Sequence, residues 1–216
     1  WSFYGMELTV TPDVLIPRDD TMAVTDLAID ALERMKAPQR VLDLCTGSGC
    51  IGLAIAKQLP QARVTLADVS EKALAIAKQN LAQQKFGIRV SAYQADVTKH
   101  APAFWGKFDL IVSNPPYVTA QEMRELDSSV RDYEPALALY GGEDGLDFYR
   151  AIIRNFTPAI RPNGFLCFEF GWKQAECVGA LLREAGYENL RFARDSGGIV
   201  RAVLAQRPAE EIKTNV

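Results

Sequence analysis

Apolar and polar positions follow two periods along this chain. Short, nearly continuous apolar runs have the length and composition of buried strands: Arg40-Val41-Leu42-Asp43-Leu44, Val64-Thr65-Leu66-Ala67-Asp68, 89–93 and Phe108-Asp109-Leu110-Ile111-Val112-Ser113. Longer amphipathic stretches predict helices over 22–35, 50–59, 146–156 and 174–185. A further helix starts after Ser70, an N-cap residue type, and is marked by Ala73, Leu74, Ile76, Ala77, Asn80 and Leu81. Pro158 and Pro162 are expected to end the helix over 146–156, and Gly186 the one over 174–185. A fifth strand is expected over 164–170. Two more, over 188–194 and 199–205, flank Ser196-Gly197-Gly198 and read as an antiparallel pair. The stretch 114–145 reads as loop-rich.

Alternating strands and helices predict an α/β fold whose mostly parallel sheet is covered on both faces. With the terminal hairpin this gives a Rossmann-like three-layer sandwich of seven strands. One domain is expected over 21–207. Residues 1–20 form a linker or hairpin leading into it, and residues 208–216 a frayed tail. The chain begins at Trp1 with no Met and no visible signal peptide, so it reads as a segment whose natural start lies elsewhere.

Composition narrows the function classes. The chain has 216 residues, 48% hydrophobic and 24% charged, with a formal net charge of -3. That balance argues against broad, non-specific nucleic-acid binding, which needs a dense positive field. No apolar run approaches the roughly 20 residues that span a bilayer. Cys45, Cys50, Cys167 and Cys177 form no Cys-x-x-Cys pair, and His100 is the single histidine, so no structural zinc or other metal is expected. Cys167 sits in the apolar run Phe165-Leu166-Cys167-Phe168 and reads as a core residue. The setting expected is reducing and cytoplasmic.

The first candidate site is the turn after the strand at 40–44. Asp43-Leu44-Cys45-Thr46-Gly47-Ser48-Gly49 leads from strand to helix, and Gly47 and Gly49 allow a tight turn and close approach of a ligand. The helix beyond it presents free N–H groups. Gly47-x-Gly49-x-x-Gly52 also matches the dinucleotide fingerprint, and Asp68 stands about 20 positions on, where a carboxylate binds ribose hydroxyls. Asp43 tilts the choice toward S-adenosylmethionine, because a carboxylate repels a pyrophosphate but suits a sulfonium ligand with an ammonium group. After the third strand, Asp96 and the N–H of Val97 are candidates for the adenine, although Asp96 equally suits a turn.

The second site is Asn114-Pro115-Pro116-Tyr117, directly after the strand at 108–113 and about 65 residues beyond the glycine loop. Ligands of open α/β sheets bind beyond the carboxyl ends of the strands, so this turn should face the cofactor. An amide or aryl amine is a poor nucleophile because its lone pair is delocalised. Two acceptors, the Asn114 side-chain oxygen and the Pro115 carbonyl, could hold its two N–H bonds and aim the nitrogen at a methyl carbon. Proline's fixed φ makes that turn rigid, and Tyr117 can stack on the flat group. No dedicated base is demanded if orientation and acceptors supply the catalysis.

These residues resemble the HemK/PrmC family of protein N5-glutamine methyltransferases. So do Phe3-Tyr4-Gly5-Met6, Val14-Leu15-Ile16-Pro17-Arg18, Tyr133-Glu134-Pro135-Ala136-Leu137 and Gly141-Gly142-Glu143-Asp144-Gly145-Leu146. The resemblance implies a class I methyltransferase that uses S-adenosylmethionine, leaves S-adenosylhomocysteine, and methylates the Gly-Gly-Gln glutamine of class I peptide-chain release factors. It implies a monomer. It also implies cofactor contacts at Asp43, Cys45, Thr46, Gly47, Ser48, Gly49, Asp68, Asp96, Val97 and Asn114, with the substrate held by Asn114, Pro115, Pro116 and Tyr117. Family members carry a small helical N-terminal domain that this chain is expected to lack. The family's loop often has glycine where Cys45 stands, and its Pro-Arg-Pro-Glu-Thr-Glu stretch reads Pro17-Arg18-Asp19-Asp20-Thr21-Met22 here. Arg18 suits either the site entrance or a solvated surface.

Three other readings stay open on sequence. A glutamine methyltransferase acting on a ribosomal protein shares the chemistry. A DNA adenine-N6 methyltransferase would meet the same planar NH₂ group but would need base flipping and a DNA-reading surface. A non-catalytic module could keep the fold.

Overall fold

The runs of buried apolar residues pair into one sheet, seen in a computed structural model that describes residues 1–36, 38–127 and 133–209. A short hairpin comes first, β1 (Ser2–Phe3) with β2 (Met6–Glu7). The large sheet contains β3 (Arg40–Leu44), β4 (Arg63–Asp68), β5 (Val90–Gln94), β6 (Phe108–Ser113), β7 (Ile160–Glu169), β8 (Glu188–Arg194) and β9 (Val200–Gln206). Its seven strands run in the order β5-β4-β3-β6-β7-β9-β8. All neighbours are parallel except β9, which is antiparallel to both β7 and β8. The expected Rossmann-like sandwich with a C-terminal antiparallel hairpin is therefore what the chain forms.

Helices α1 (Met22–Glu33), α2 (Cys50–Gln58) and α3 (Glu71–Gln84) cover one face. There Val24, Leu32, Leu53 and Ile55 pack with Val41 and Leu110. Further along come α4 (Ala120–Glu125), α5 (Ala136–Leu139), α6 (Asp147–Phe156) and α7 (Ala175–Glu184). From α6 and α7, Ile152, Phe156, Val178 and Leu182 cover the other face with Leu42, Leu44 and Ile111. Because strand side chains alternate, β3 sends Val41 to one layer and Leu42 and Leu44 to the other. Each such fully buried side chain contributes roughly 1.5–3 kcal/mol relative to an exposed one.

Ser70 caps α3 as its sequence suggests, its Oγ accepting from the Ala73 N–H at 3.2 Å. Gly186 has φ +83 and closes α7. Its N–H bonds the Arg183 carbonyl while that of Tyr187 bonds Leu182, which is the Schellman arrangement.

One expected boundary is corrected. Strand β7 begins at Ile160 and not at residue 164. Pro162 does not block it, because the register jumps from Phe108↔Ile160 to Leu110↔Phe165 and the proline sits in the resulting bulge, where no ladder N–H is needed. The stretch 114–145 is loop-rich among its described residues, broken by the short α4 and α5. Thr119 and Glu122 form a capping box that starts α4, a pattern present in the sequence as Thr-x-x-Glu. Of the expected tail, 210–216 lies outside the described residues. Residues 1–20 are packed onto the domain, with Phe3, Met6 and Leu8 buried in the α1–α2 layer. No helix among the described residues is long and apolar enough to cross a membrane.

Candidate active site

Strand order brings the two candidate loops together. β3 and β6 are neighbours, and Leu44 stands opposite Ser113 at their carboxyl ends. The Ser113 hydroxyl donates to the Leu44 carbonyl at 2.7 Å. The glycine loop and the Asn-Pro-Pro-Tyr turn therefore leave the sheet side by side, at the point where chain order along the sheet reverses. One cavity opens there. Cys45, Thr46, Gly47, Ser48, Asp68, Asp96, Val97, Asn114 and Pro116 all line it.

Asp43 does not line that cavity. It is fully buried beneath the loop, and its Oδ2 accepts from the Thr46 hydroxyl at 2.6 Å and from the Gly52 N–H at 2.9 Å. Burial pushes its carboxyl up to about 7, against those two hydrogen bonds. Its Oδ1 has no hydrogen-bond partner among the described residues. Asp43 thus shapes the loop from below, and Gly49 turns the loop into α2 with φ +85. Gly52 is required by close approach, since a Cβ there would lie 2.3 Å from a Leu66 methyl and 2.9 Å from Asp43 Oδ2. Cys45 holds φ +55, a left-handed conformation that favours glycine.

Asp68 ends β4 and faces the cavity. Its Oδ2 accepts from the Gly47 N–H and its Oδ1 from the Ser70 N–H, both at 2.9 Å. Burial raises its pKa, and these backbone donors pull it back down. Both oxygens keep further acceptor capacity toward the cavity. Asp96 takes the turn role and also borders the cavity. Its Oδ1 closes a turn onto the Thr98 N–H at 2.9 Å and the Thr98 hydroxyl at 2.6 Å, yet the residue also lines the cavity. Those Thr98 bonds, then Lys99, hold its carboxyl below the usual range.

Within the turn, Asn114 and Pro116 line the cavity. Pro115 is buried, and Tyr117 lies along a second depression with Val118, Glu122, Trp172, Gln174 and Arg201. The turn is braced from outside. Gln174 Nε2 donates to the Tyr117 carbonyl at 3.1 Å. The 141–146 block packs directly on it, because a Cβ on Gly141 would sit 2.7 Å from the Pro116 carbonyl oxygen and from Tyr117 Cα. Residues 118 and 140 bridge, with the Val118 N–H donating to the Leu139 carbonyl at 2.8 Å and the Gly141 N–H to Val118 at 2.9 Å.

Several cavity residues were not singled out as site residues from sequence. Val14, Leu15 and Pro17 come from the segment before α1, and Pro135, Leu137 and Ala138 from the start of α5. All but Ala138 belong to blocks that carry the family resemblance, and that is the available signal. Arg18 does not line the cavity. It forms an ion pair with Glu134, whose side chain is 2% exposed, and so fastens one wall to the other. Asp20 pairs with Arg201 at 3.0 Å.

Comparison with known proteins agrees with this geometry. A family model described as "Methyltransferase small domain" matches residues 19–129. A release factor glutamine methyltransferase of Geobacter sulfurreducens is 42% identical over 201 residues, covering 93% of this chain and 68% of the relative. That of Clostridium acetobutylicum is 37% identical over 205 residues, covering 95% and 72%. Among solved structures, the protein-(glutamine-N5) methyltransferase (release factor-specific) of Alicyclobacillus acidocaldarius is 30% identical with a TM-score of 0.54, covering 93% of this chain and 99% of that one. A Pyrococcus furiosus methyltransferase shares the fold at a TM-score of 0.67 and 16% identity, covering 94% and 90%. Fold and cavity define an α/β methyltransferase of the kind that depends on S-adenosylmethionine. More narrowly, the chain belongs to the release factor glutamine methyltransferase family.

Proposed function

We propose that the chain transfers a methyl group from S-adenosylmethionine to the side-chain amide nitrogen of a glutamine, that of the Gly-Gly-Gln motif in a class I peptide-chain release factor. The observation that carries this reading is that Asn114 shares one cavity with Gly47 and Asp68. An amide-gripping turn and a ribose-binding carboxylate thus open onto the same space.

The residues present fit the cofactor. Asp68 offers acceptors for ribose hydroxyls while Gly47 and Ser70 hold it in place. Val97 and Asp96 would border the adenine and Cys45 to Ser48 the amino-acid end, since all of them line the one cavity. Asp43 acts on the cofactor only through the loop it supports. When bound, S-adenosylmethionine supplies an electrophilic methyl carbon on a positively charged sulfur.

The protein's work is to orient the other partner. The Asn114 side-chain oxygen and the Pro115 carbonyl accept the two amide hydrogens, so that the nitrogen lone pair points into the cavity. As positive charge grows on that nitrogen both acceptors strengthen, which favours the transition state over the ground state. Tyr117 flanks the flat amide from the second depression, along which the substrate chain approaches. The proton released from nitrogen passes to solvent.

The test is mass spectrometry of a class I release factor incubated with this chain and methyl-labelled cofactor. A ribosomal protein and adenine-containing DNA run in parallel. One methyl group on the Gly-Gly-Gln glutamine is the expected result. Label on adenine, or on another residue type, overturns the reading.

A further inference from the structure

Glu169 is a carboxylate at the end of an apolar strand, buried to 2% exposure, and nothing so far gives it a task. The register says where it points. Ser113 pairs with Phe168, so the next position along each strand sets Asn114 beside Glu169, on the same side of the sheet. Both Thr21 and Asn114 line the cavity, and their side chains also lie against the Glu169 carboxylate, favouring its charged form. Neither contact has regular geometry at Oε2, which is left without a hydrogen-bond partner. A buried acceptor with spare capacity therefore stands directly behind the amide that is to grip the substrate.

That matters because an asparagine amide has two faces of opposite polarity. Asn114 can hold a substrate N–H only if its oxygen points into the cavity, which requires its NH₂ to point away. An acceptor behind it selects that orientation, and a donor behind it would select the reverse. We propose that Glu169 is a positioning residue. Its carboxylate takes the Asn114 N–H and thereby turns the Asn114 oxygen toward the substrate amide. This deepens the function proposed above and rests on it for the identity of the substrate.

Burial drives the Glu169 carboxyl up to about 7, with Thr21 opposing and Asp20 adding to the rise. Arg201 on β9 and Asn114 favour the charge, while Tyr117, Tyr149 and Cys50 are the other titratable groups that feel it. Once protonated, the carboxyl presents a donor to Asn114 and releases or inverts the amide. Turnover should then have an acid limb with a midpoint near neutrality.

The experiment uses the full chain with its cofactor and a release factor substrate, in native form and as Glu169→Leu and Glu169→Gln. The leucine variant removes the acceptor and fills the space. It should lower kcat at least tenfold while changing cofactor affinity less than twofold. The glutamine variant keeps a carbonyl acceptor but cannot titrate. It should recover most of the lost kcat and lose the acid limb. Independently of turnover, the Asn114 side-chain amide signal in ¹⁵N-labelled protein should move with pH around 7 in the native chain and stay still in Glu169→Gln. A native kcat in the leucine variant, an unchanged acid limb in the glutamine variant, or an Asn114 signal indifferent to pH each overturns the proposal. If the native chain labels no glutamine, the functional reading fails instead, and the Asn114 signal still decides this one.

Discussion

Arg18 and Glu134 stand 116 residues apart in sequence and meet as an ion pair at the cavity wall. The two partners are unequal, because Glu134 is almost wholly buried while Arg18 is 44% exposed. Removing Arg18 leaves a buried carboxylate without its charge partner. Arg18→Ala is expected to cost about 1–2 kcal/mol, between the values for exposed and for fully buried pairs, because water reaches the arginine. The mutation should also weaken cofactor binding, since Pro135 and Leu137 follow Glu134 into the wall. Denaturant unfolding and calorimetric titration with S-adenosylhomocysteine check both effects, and adding Glu134→Gln should restore part of the stability.

Asn114→Ala should lower methyl transfer by about 10²–10³, the range for losing one preorganised hydrogen-bonding group aimed at developing charge. Cofactor binding should survive in part, since Asp68 and the glycine loop are untouched. Normal single-turnover rates in that variant would remove Asn114 from the mechanism.

Asp68→Ala removes two things, the acceptors proposed for ribose hydroxyls and the anchor of the Gly47 N–H. A rise in the cofactor dissociation constant of about tenfold or more follows from losing a charged hydrogen-bond acceptor worth roughly 1.5–3 kcal/mol. Calorimetric titration reads it directly. A variant that binds as tightly as the native chain would place the ribose elsewhere.

Gly141→Ala tests the brace on the Asn-Pro-Pro-Tyr turn. The new methyl group would lie 2.7 Å from backbone atoms of both Pro116 and Tyr117, which have no free rotamer to yield. A loss of about 1–3 kcal/mol is expected from overpacking, with a fall in kcat larger than any change in cofactor affinity. By contrast, Gly186→Ala disturbs only a helix end far from the turn, and should cost stability without a matching loss of turnover.

Stability should fall as pH rises from about 4 to about 7. Asp43 and Glu169 have folded-state pKa values raised from ordinary carboxylate values to about 7. Within that window the folded chain holds protons that the unfolded chain has released, so rising pH favours unfolding. Above the window the slope vanishes. Side-chain partners hold Asp96 and Asp144 below the usual carboxylate range, and their opposite contribution lies at lower pH. Chemical unfolding at several pH values, repeated with Asp43→Asn and Glu169→Gln, should show a flatter curve in each variant. A native curve that rises between pH 5 and 7 contradicts it.

Much of this was readable in the residues, for physical reasons. Doubly covered parallel strands must be apolar on both faces, so Val41 to Leu44 and Phe108 to Ser113 appear as runs with few competing readings. Gly47, Asp68 and Asn114 stand out in sequence because each follows or ends a strand, and the structure gathers all three round one cavity. What escaped was long-range. Asp43 reads as a ligand-facing carboxylate in sequence, yet strand alternation turns it under the loop against Gly52. The Arg18–Glu134 pair depends on two loops meeting, which no local pattern encodes. Glu169 leaves a trace, a charge between Phe168 and Phe170 at the end of an apolar run, but its meaning requires the β6–β7 register. The start of β7 was missed because a proline ends helices and, at a bulge, does not end strands.

The cysteine at position 45 has one last implication. Cys45 and Cys50 both border the space where a methyl donor would lie, and a thiolate there would compete with the intended acceptor for the methyl group. Burial, reinforced by Asp68 and Asp43 at Cys45 and by Asp43 and Glu169 at Cys50, lifts the Cys45 thiol far above neutrality and Cys50 to about 12. At neutral pH both sulfurs are therefore held as thiols, the form that is a poor competitor for a methyl group.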